Sequence, residues 1–181
     1  MRFRLAPFAL ICALSIVGMT LAHAQPKLQP RGGGEDKSKG GGQQTQTTGG
    51  LIEKITPDGT IALLKAAGYT DLETYADNQG NKHVKGKING NAVAIVHYCE
   101  KGECQFISFV LPLGKQSNVD INWVNSWNYD KLFGKLSLDK EGNIFFQMEC
   151  YLFGGVSPAH VTSAGKLFGE LIKILYEYKP G

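Results

Sequence analysis

From Thr56 onward the spacing of apolar residues changes period several times, and each change predicts an element. Thr56-Pro57 offers an N-cap followed by proline at the first helical position, with Ile61, Leu64 and Ala67 along one face and Gly68 at the stop. Asp58-Gly59 weakens that first turn and leaves Thr60 as an alternative cap. Leu72 to Asp77 reads as a strand that turns at Asn78-Gln79-Gly80-Asn81. His83 to Asn89 and Ala92 to Cys99 follow, joined at Asn89-Gly90, a pair that favours a tight hairpin. Cys104 to Leu113 continues the meander through the short Glu100-Lys101-Gly102-Glu103 loop.

At Asn122-Trp123-Val124-Asn125-Ser126-Trp127-Asn128 the period returns to that of a helix, with Ile121, Val124 and Trp127 on the apolar side. Two more strands are expected at Leu132 to Leu138 and Asn143 to Phe153, with Lys140-Glu141-Gly142 between them. In the latter, Ile144, Phe146, Met148, Cys150 and Leu152 alternate on one face, while Phe145, Gln147, Glu149, Tyr151 and Phe153 take the other. Gly154-Gly155 breaks the strand. Ser157-Pro158 then opens a long helix whose Val161, Ala164, Phe168, Leu171, Ile172 and Leu175 keep helical spacing. This order predicts an α+β domain, an antiparallel sheet of five to six strands with helices at the start, middle and end. One or more of the helices are expected to cover a single face of the sheet.

Composition changes the picture at the N-terminus. Arg2 and Arg4 precede an apolar run from Phe8 to Ala22, and Ala22-His23-Ala24 supplies a small-x-small cleavage pattern. Residues 1–24 therefore read as a secretory signal, its apolar run shorter than the ~20 residues of a membrane-spanning helix. Retention of this segment as an anchor is the alternative. Residues 25–50, with Gly32-Gly33-Gly34, Gly40-Gly41-Gly42 and Gly49-Gly50 among Gln, Thr and Lys, read as a tether too polar to form a core. Residues 51–181 form the expected domain, and the mature chain is expected to be periplasmic or secreted, with no membrane span.

Charge and residue usage exclude several function classes. Residues 51–181 carry 13 lysines against 14 acids, and no arginine. Nucleic-acid binding needs a clustered basic surface that these totals do not supply. Without arginine, the usual bidentate clamp for phosphate and carboxylate is missing, which argues against phosphoryl transfer and nucleotide binding.

Candidate chemistry is sparse. Cys99 and Cys104 flank a four-residue hairpin loop, where side chains on neighbouring strands can meet, and a structural disulfide is expected there, with two buried thiols as the alternative. Cys150 shares the apolar side of its strand with Met148 and Leu152 and reads as a core thiol. His97 stands two residues before Cys99 and reads as a hydrogen-bonded sheet histidine; His83 reads as a strand-end residue and His160 as solvated. Ser157 lacks the Gly-x-Ser-x-Gly surroundings of a nucleophile and reads as a helix cap. No catalytic set, cofactor or metal site is expected. In the central helix, Trp127 is expected to pack into the sheet while the amides of Asn125 and Asn128 bond local backbone. The competing reading makes Trp123, Asn125, Trp127 and Asn128 a binding surface, since the two tryptophans stand four apart on one side of the helix.

Ala67-Gly68-Tyr69 after the first helix, the Cys99 to Cys104 hairpin, Asn125-Ser126-Trp127-Asn128 followed by Phe133, and Gly154-Gly155-Val156-Ser157 before the last helix give a sequence that resembles the YbjN-like family of bacterial sensory-transduction regulators. The resemblance spans Leu51 to Tyr178. It implies a fold similar to type III secretion chaperones, small dimeric α+β proteins that hold protein segments. The expected function is thus an exported, non-catalytic, regulatory domain that binds a protein or peptide, alone or as a homodimer. The alternatives are a small periplasmic thiol enzyme or hydrolase using Cys150 or Cys99 with His97, and a small-ligand sensor with a pocket between helix and sheet.

Overall fold

The computed structural model describes residues 45–48, 50–101 and 103–179. The expected signal segment, and the expected tether as far as residue 44, lie outside the described residues. Among the described residues, three helices and eight strands follow in chain order: β1 (Gln46–Thr48), β2 (Leu51–Lys54), α1 (Pro57–Ala66), β3 (Thr70–Ala76), β4 (Lys82–Ile88), β5 (Asn91–Glu100), β6 (Glu103–Gly114), α2 (Ile121–Asp130), β7 (Lys135–Leu138), β8 (Ile144–Tyr151) and α3 (Pro158–Glu177). The main sheet has six antiparallel strands in the order β3-β4-β5-β6-β8-β7. The α+β architecture, the antiparallel sheet and the three helix positions agree with the sequence reading.

Local chemistry accounts for the boundaries. Thr56, and not Thr60, caps α1: its side chain accepts from the Gly59 N–H at 3.1 Å. Thr60 is instead buried and bonded to the sheet, as described below. Asn89 and Gly90 both adopt positive φ, 51° and 77°, which is what a two-residue hairpin requires of β4 and β5. Ser157 caps α3 by accepting from the His160 N–H at 3.2 Å.

A small hairpin escaped the pattern. β1 and β2 pair with each other, and β1 begins inside the span read as tether. Its anchor is Ile52, buried and joined to Val156 by two backbone hydrogen bonds of 2.7 and 3.0 Å. Ile55, also buried, donates its N–H to the Cys104 carbonyl at 3.0 Å. Two apolar residues in so short a segment carry no readable period, so only the tertiary contacts reveal the strand.

All three helices lie on one face of the sheet. Phe168 of α3 packs on Phe109 and Phe146, with centroids 5.5 Å apart in both pairs. Trp127 of α2 meets the same Phe146 edge-on at 5.4 Å. From α1, the Thr60 hydroxyl reaches His97, which alternates with the buried Val93 and Ile95 of β5. The core is therefore a single layer between three helices and the inward side chains of β4, β5, β6, β8 and β7. No helix among the described residues is long and apolar enough to cross a membrane.

Candidate functional site

The Trp-containing helix resolves into parts with different work. Asp120 caps α2, accepting from the Trp123 N–H at 2.9 Å. Val124 and Trp127 are buried as expected, but Ile121, placed with them by spacing, is 53% exposed. It occupies the first turn, at the outer end of a short helix, where the stripe has already left the sheet. The Trp127 indole N–H donates to the Gly134 carbonyl at 3.0 Å, and its ring stands edge-on to Tyr178 at 5.2 Å. Trp123 is half-buried and leans on the same Tyr178 at 5.3 Å.

Asn128 does something no spacing announces. Its amide donates to the Leu136 carbonyl at 2.9 Å and accepts from the Leu136 N–H at 2.8 Å. Leu136 lies in β7, the last strand of the sheet, so this side chain occupies two backbone groups that a further strand would need. Asn125 faces outward, lining a shallow open depression with Ser126, Tyr129 and Asp130. The four residues are thus not one surface: Trp127 and Asn128 build the scaffold, Trp123 supports Tyr178, and Asn125 is in contact with solvent.

Cys99 and Cys104 form a directly opposed cross-strand pair and are joined by a disulfide, with Cα atoms 3.9 Å apart. Cys150 is buried, and burial pushes its thiol up to about 11. In the row that runs His97, Ile107, Cys150 across β5, β6 and β8, Ile107 separates the histidine from the thiol. That arrangement provides no activated nucleophile, which needs a base within hydrogen-bond reach.

The histidines form the largest buried polar group of the fold. Thr60 Oγ1 lies 2.8 Å from His97 Nε2, and His97 Nδ1 lies 3.2 Å from the Ile95 carbonyl. Because that carbonyl can only accept, Nδ1 carries the proton and Nε2 accepts from the Thr60 hydroxyl. His83 Nδ1 accepts the His97 backbone N–H at 3.1 Å, which leaves its own proton on Nε2, 3.3 Å from the Asp77 carboxylate. Burial, with the neighbouring His83 ring, lowers His97 to about 4. Burial alone would raise Asp77, but hydrogen bonds from Asn81, the Gln79 N–H and His83 hold it down to about 2. Every ring nitrogen is engaged, so the string ties α1, β4 and β5 together and offers no free ligand. Among the described residues, no three His, Cys, Asp or Glu side chains are grouped to hold a metal ion.

The broadest candidate surface is the other face of the sheet, which no helix among the described residues covers. Tyr98, Phe106, Tyr151 and Phe153 form a row there, with successive centroids 4.3, 5.5 and 6.1 Å apart. Tyr98 is 45% and Tyr151 55% exposed. Beside this row lie Val96 and Val110, half-buried, with Ser108 and Glu149 among them and the aromatics, and at the margins sit ion pairs Glu73–Lys85 at 2.9 Å and Asp71–Lys87 at 2.8 Å and the side chain of Lys135, which reaches Glu149 at 3.9 Å. An aromatic centre within a charged rim is the anatomy of a protein interface. Its sequence signal was the second apolar face of β8, where Phe145, Tyr151 and Phe153 stand among polar residues.

Comparison with known proteins gives two findings. The model of the YbjN family, described as "Putative bacterial sensory transduction regulator", matches residues 57–177. Among solved structures, the chain is similar to the Yersinia pestis type III secretion chaperone SycH, crystallised in complex with a stable fragment of YscM2. The identity is 13%, the TM-score is 0.41, and the match covers 65% of this chain and 98% of that one. No curated protein matches the chain.

Proposed function

The chain belongs to the YbjN family, and on that premise we propose that its domain is a non-catalytic regulatory module that binds a protein or peptide on the helix-free face of the sheet, outside the cytoplasm. The observation that carries the reading is the Tyr98-Phe106-Tyr151-Phe153 row, with Tyr98, Tyr151 and Phe153 exposed and Phe106 half-buried, on a sheet face that no helix among the described residues covers. Rigid aromatic side chains supply contact area at little entropic cost, and in water such a row is stable only because the opposite face buries the core. Binding rather than catalysis fits the chemistry: among the described residues the one free cysteine is buried with a raised pKa, and both buried histidines are fully hydrogen-bonded. Action outside the cytoplasm is supported by Arg2, Arg4, the apolar run to Ala22 and the Ala22-His23-Ala24 pattern. A Cys99–Cys104 disulfide fits the same compartment.

A photo-crosslinking residue at Tyr151 tests the reading in the cell of origin, with a second one at Lys166 on α3 as the control. A discrete adduct from position 151, absent from position 166 and lost when Phe106→Ser is added, is the expected result. An adduct with the mass of a second copy makes the partner a homodimer. Equal yields from both positions, or none from position 151, overturn the binding face. Compartment is read separately: without reductant, Cys99 and Cys104 of the extracted protein resist alkylation if the chain is exported.

A further inference from the structure

The turn that leaves α2 is built as a rigid apolar projection. Lys131 donates its N–H back to the Trp127 carbonyl at 2.9 Å, and the Trp127 indole holds the Gly134 carbonyl at 3.0 Å. Gly134 has φ 74° and lies against the Phe146 ring, where a side chain would collide. Asn128 fixes the next strand at Leu136. Between these anchors Leu132 is 96%, Tyr129 91% and Phe133 57% exposed. The fold spends four hydrogen bonds on holding a turn whose leucine touches almost nothing.

We propose that this Tyr129–Phe133 turn is a membrane-contacting tip that seats on an anionic phospholipid surface. Charge placement favours that occupant. Lys131 is held beside the tip, its Nζ 5.3 Å from the Tyr178 ring centroid and 5.9 Å from that of Trp127. Lys135 follows with an exposed side chain, its one ion pair with Glu149 being long, at 3.9 Å. The acid of the turn, Asp130, keeps its charge while accepting from the Tyr178 hydroxyl at 2.6 Å, and with Lys131 and Lys135 it leaves residues 129–135 at a net charge of +1. Leucine and phenylalanine enter the acyl boundary, tyrosine settles at headgroup depth, and lysines meet the lipid phosphates. Each such lysine strengthens attachment to an anionic surface severalfold. A protein partner fits less well, since a stable complex covers about 800 Å² per side and a three-residue projection offers far less. The inference rests on the tip and shares only Lys135 with the sheet-face reading.

Hydrogen–deuterium exchange on the full chain, with vesicles of phosphatidylglycerol and phosphatidylethanolamine, gives a local readout at residues 129–135. The N-terminal apolar segment can attach the chain to any vesicle, so protection at the tip, and not total binding, decides. Exchange at the tip is expected to slow about threefold or more on these vesicles, and clearly less on phosphatidylcholine alone. Leu132→Glu is expected to abolish the protection with the thermal midpoint unchanged, and Lys131→Gln to weaken it with a small loss of midpoint from its contact over the Trp127 and Tyr178 rings. An unprotected tip on bound vesicles overturns the proposal. So does protection that is equal on both lipids. Protection that grows with protein concentration in the absence of lipid assigns the tip to a second copy instead.

Discussion

The two faces of one sheet have opposite fates, although the same strands supply both. Inward, Ile95, Ile107, Phe109, Phe146 and Leu136 are buried under three helices. Outward, Val96, Phe106, Val110, Phe145 and Tyr151 are no less apolar, yet among the described residues no helix covers them. In a sheet that merely stabilises itself, the water-facing side alternates to polar residues. Here it does so at the β3–β4 edge, where lysines and acids pair, and in the centre only at Ser108, Gln147 and Glu149 between the apolar residues. An apolar residue therefore has two meanings in this fold: on one side it closes the core, and on the other it is available for contact with another molecule.

Removing a ring from the covered face has the largest expected effect. Phe168 is completely buried between Phe109 and Phe146. Phe168→Ala leaves a cavity beneath α3 and should cost about 3–5 kcal/mol, read as a drop in the urea midpoint with m unchanged. A loss below about 1 kcal/mol would mean that α3 is not the lid of this core.

Acid should loosen the covered face next. His97 titrates at about 4 when folded, below its ordinary 6.5, because it is buried beside His83. Between those values the unfolded chain binds a proton that the folded chain refuses, so stability falls as pH drops from 6.5 to 4 and, for this group, levels off below. A shift of that size corresponds to roughly 3 kcal/mol. Asp77, held at about 2, adds its own loss only below the ordinary carboxylate range. His97→Gln should flatten the dependence between pH 6.5 and 4, and an unchanged slope would remove His97 as its source.

These expectations also mark where the sequence was legible. Alternation and the Asn89-Gly90 turn were enough for the meander and the helices, because each period extends over enough residues to be counted. Ile52 and Ile55 were not placed, since a four-residue strand has no period, and Ile121 was assigned to the wrong side of a helix barely three turns long. Leu132 was read into a strand that begins only at Lys135. Burial of His83, which depends on accepting a backbone proton from His97, has no one-dimensional signal at all. Of the candidate site, Trp127 lies in the core as expected, but Asn128 bonds the backbone of Leu136 in another element and not that of its own helix end, and Asn125 faces solvent. What was missed is that the Leu136 backbone is the edge of the sheet.

The edge supplies the next test of the comparison. Asn128→Ala removes two hydrogen bonds from Leu136 and should cost about 1–2 kcal/mol. It should also expose β7 to strand pairing, so that the variant self-associates at concentrations where the parent does not. Light scattering alongside thermal melts separates the two effects. A destabilised variant that stays monodisperse would make Asn128 a stabiliser of the turn without a protective role.

The smallest stability effect belongs to the uncovered face, and it sharpens the contrast most. Tyr151 touches Phe106 and Phe153 at 5.5 and 6.1 Å but remains more than half exposed. Tyr151→Ser gives up those ring contacts without opening a cavity, so the loss should stay below about 1 kcal/mol. The same change should strongly weaken crosslinking from a neighbouring position on the row. Set beside Phe168→Ala, it asks whether two aromatic residues on opposite sides of one sheet have separable roles. If Tyr151→Ser instead destabilises as much as the buried ring, the outer row is a second core layer, and its exposure is incidental to binding.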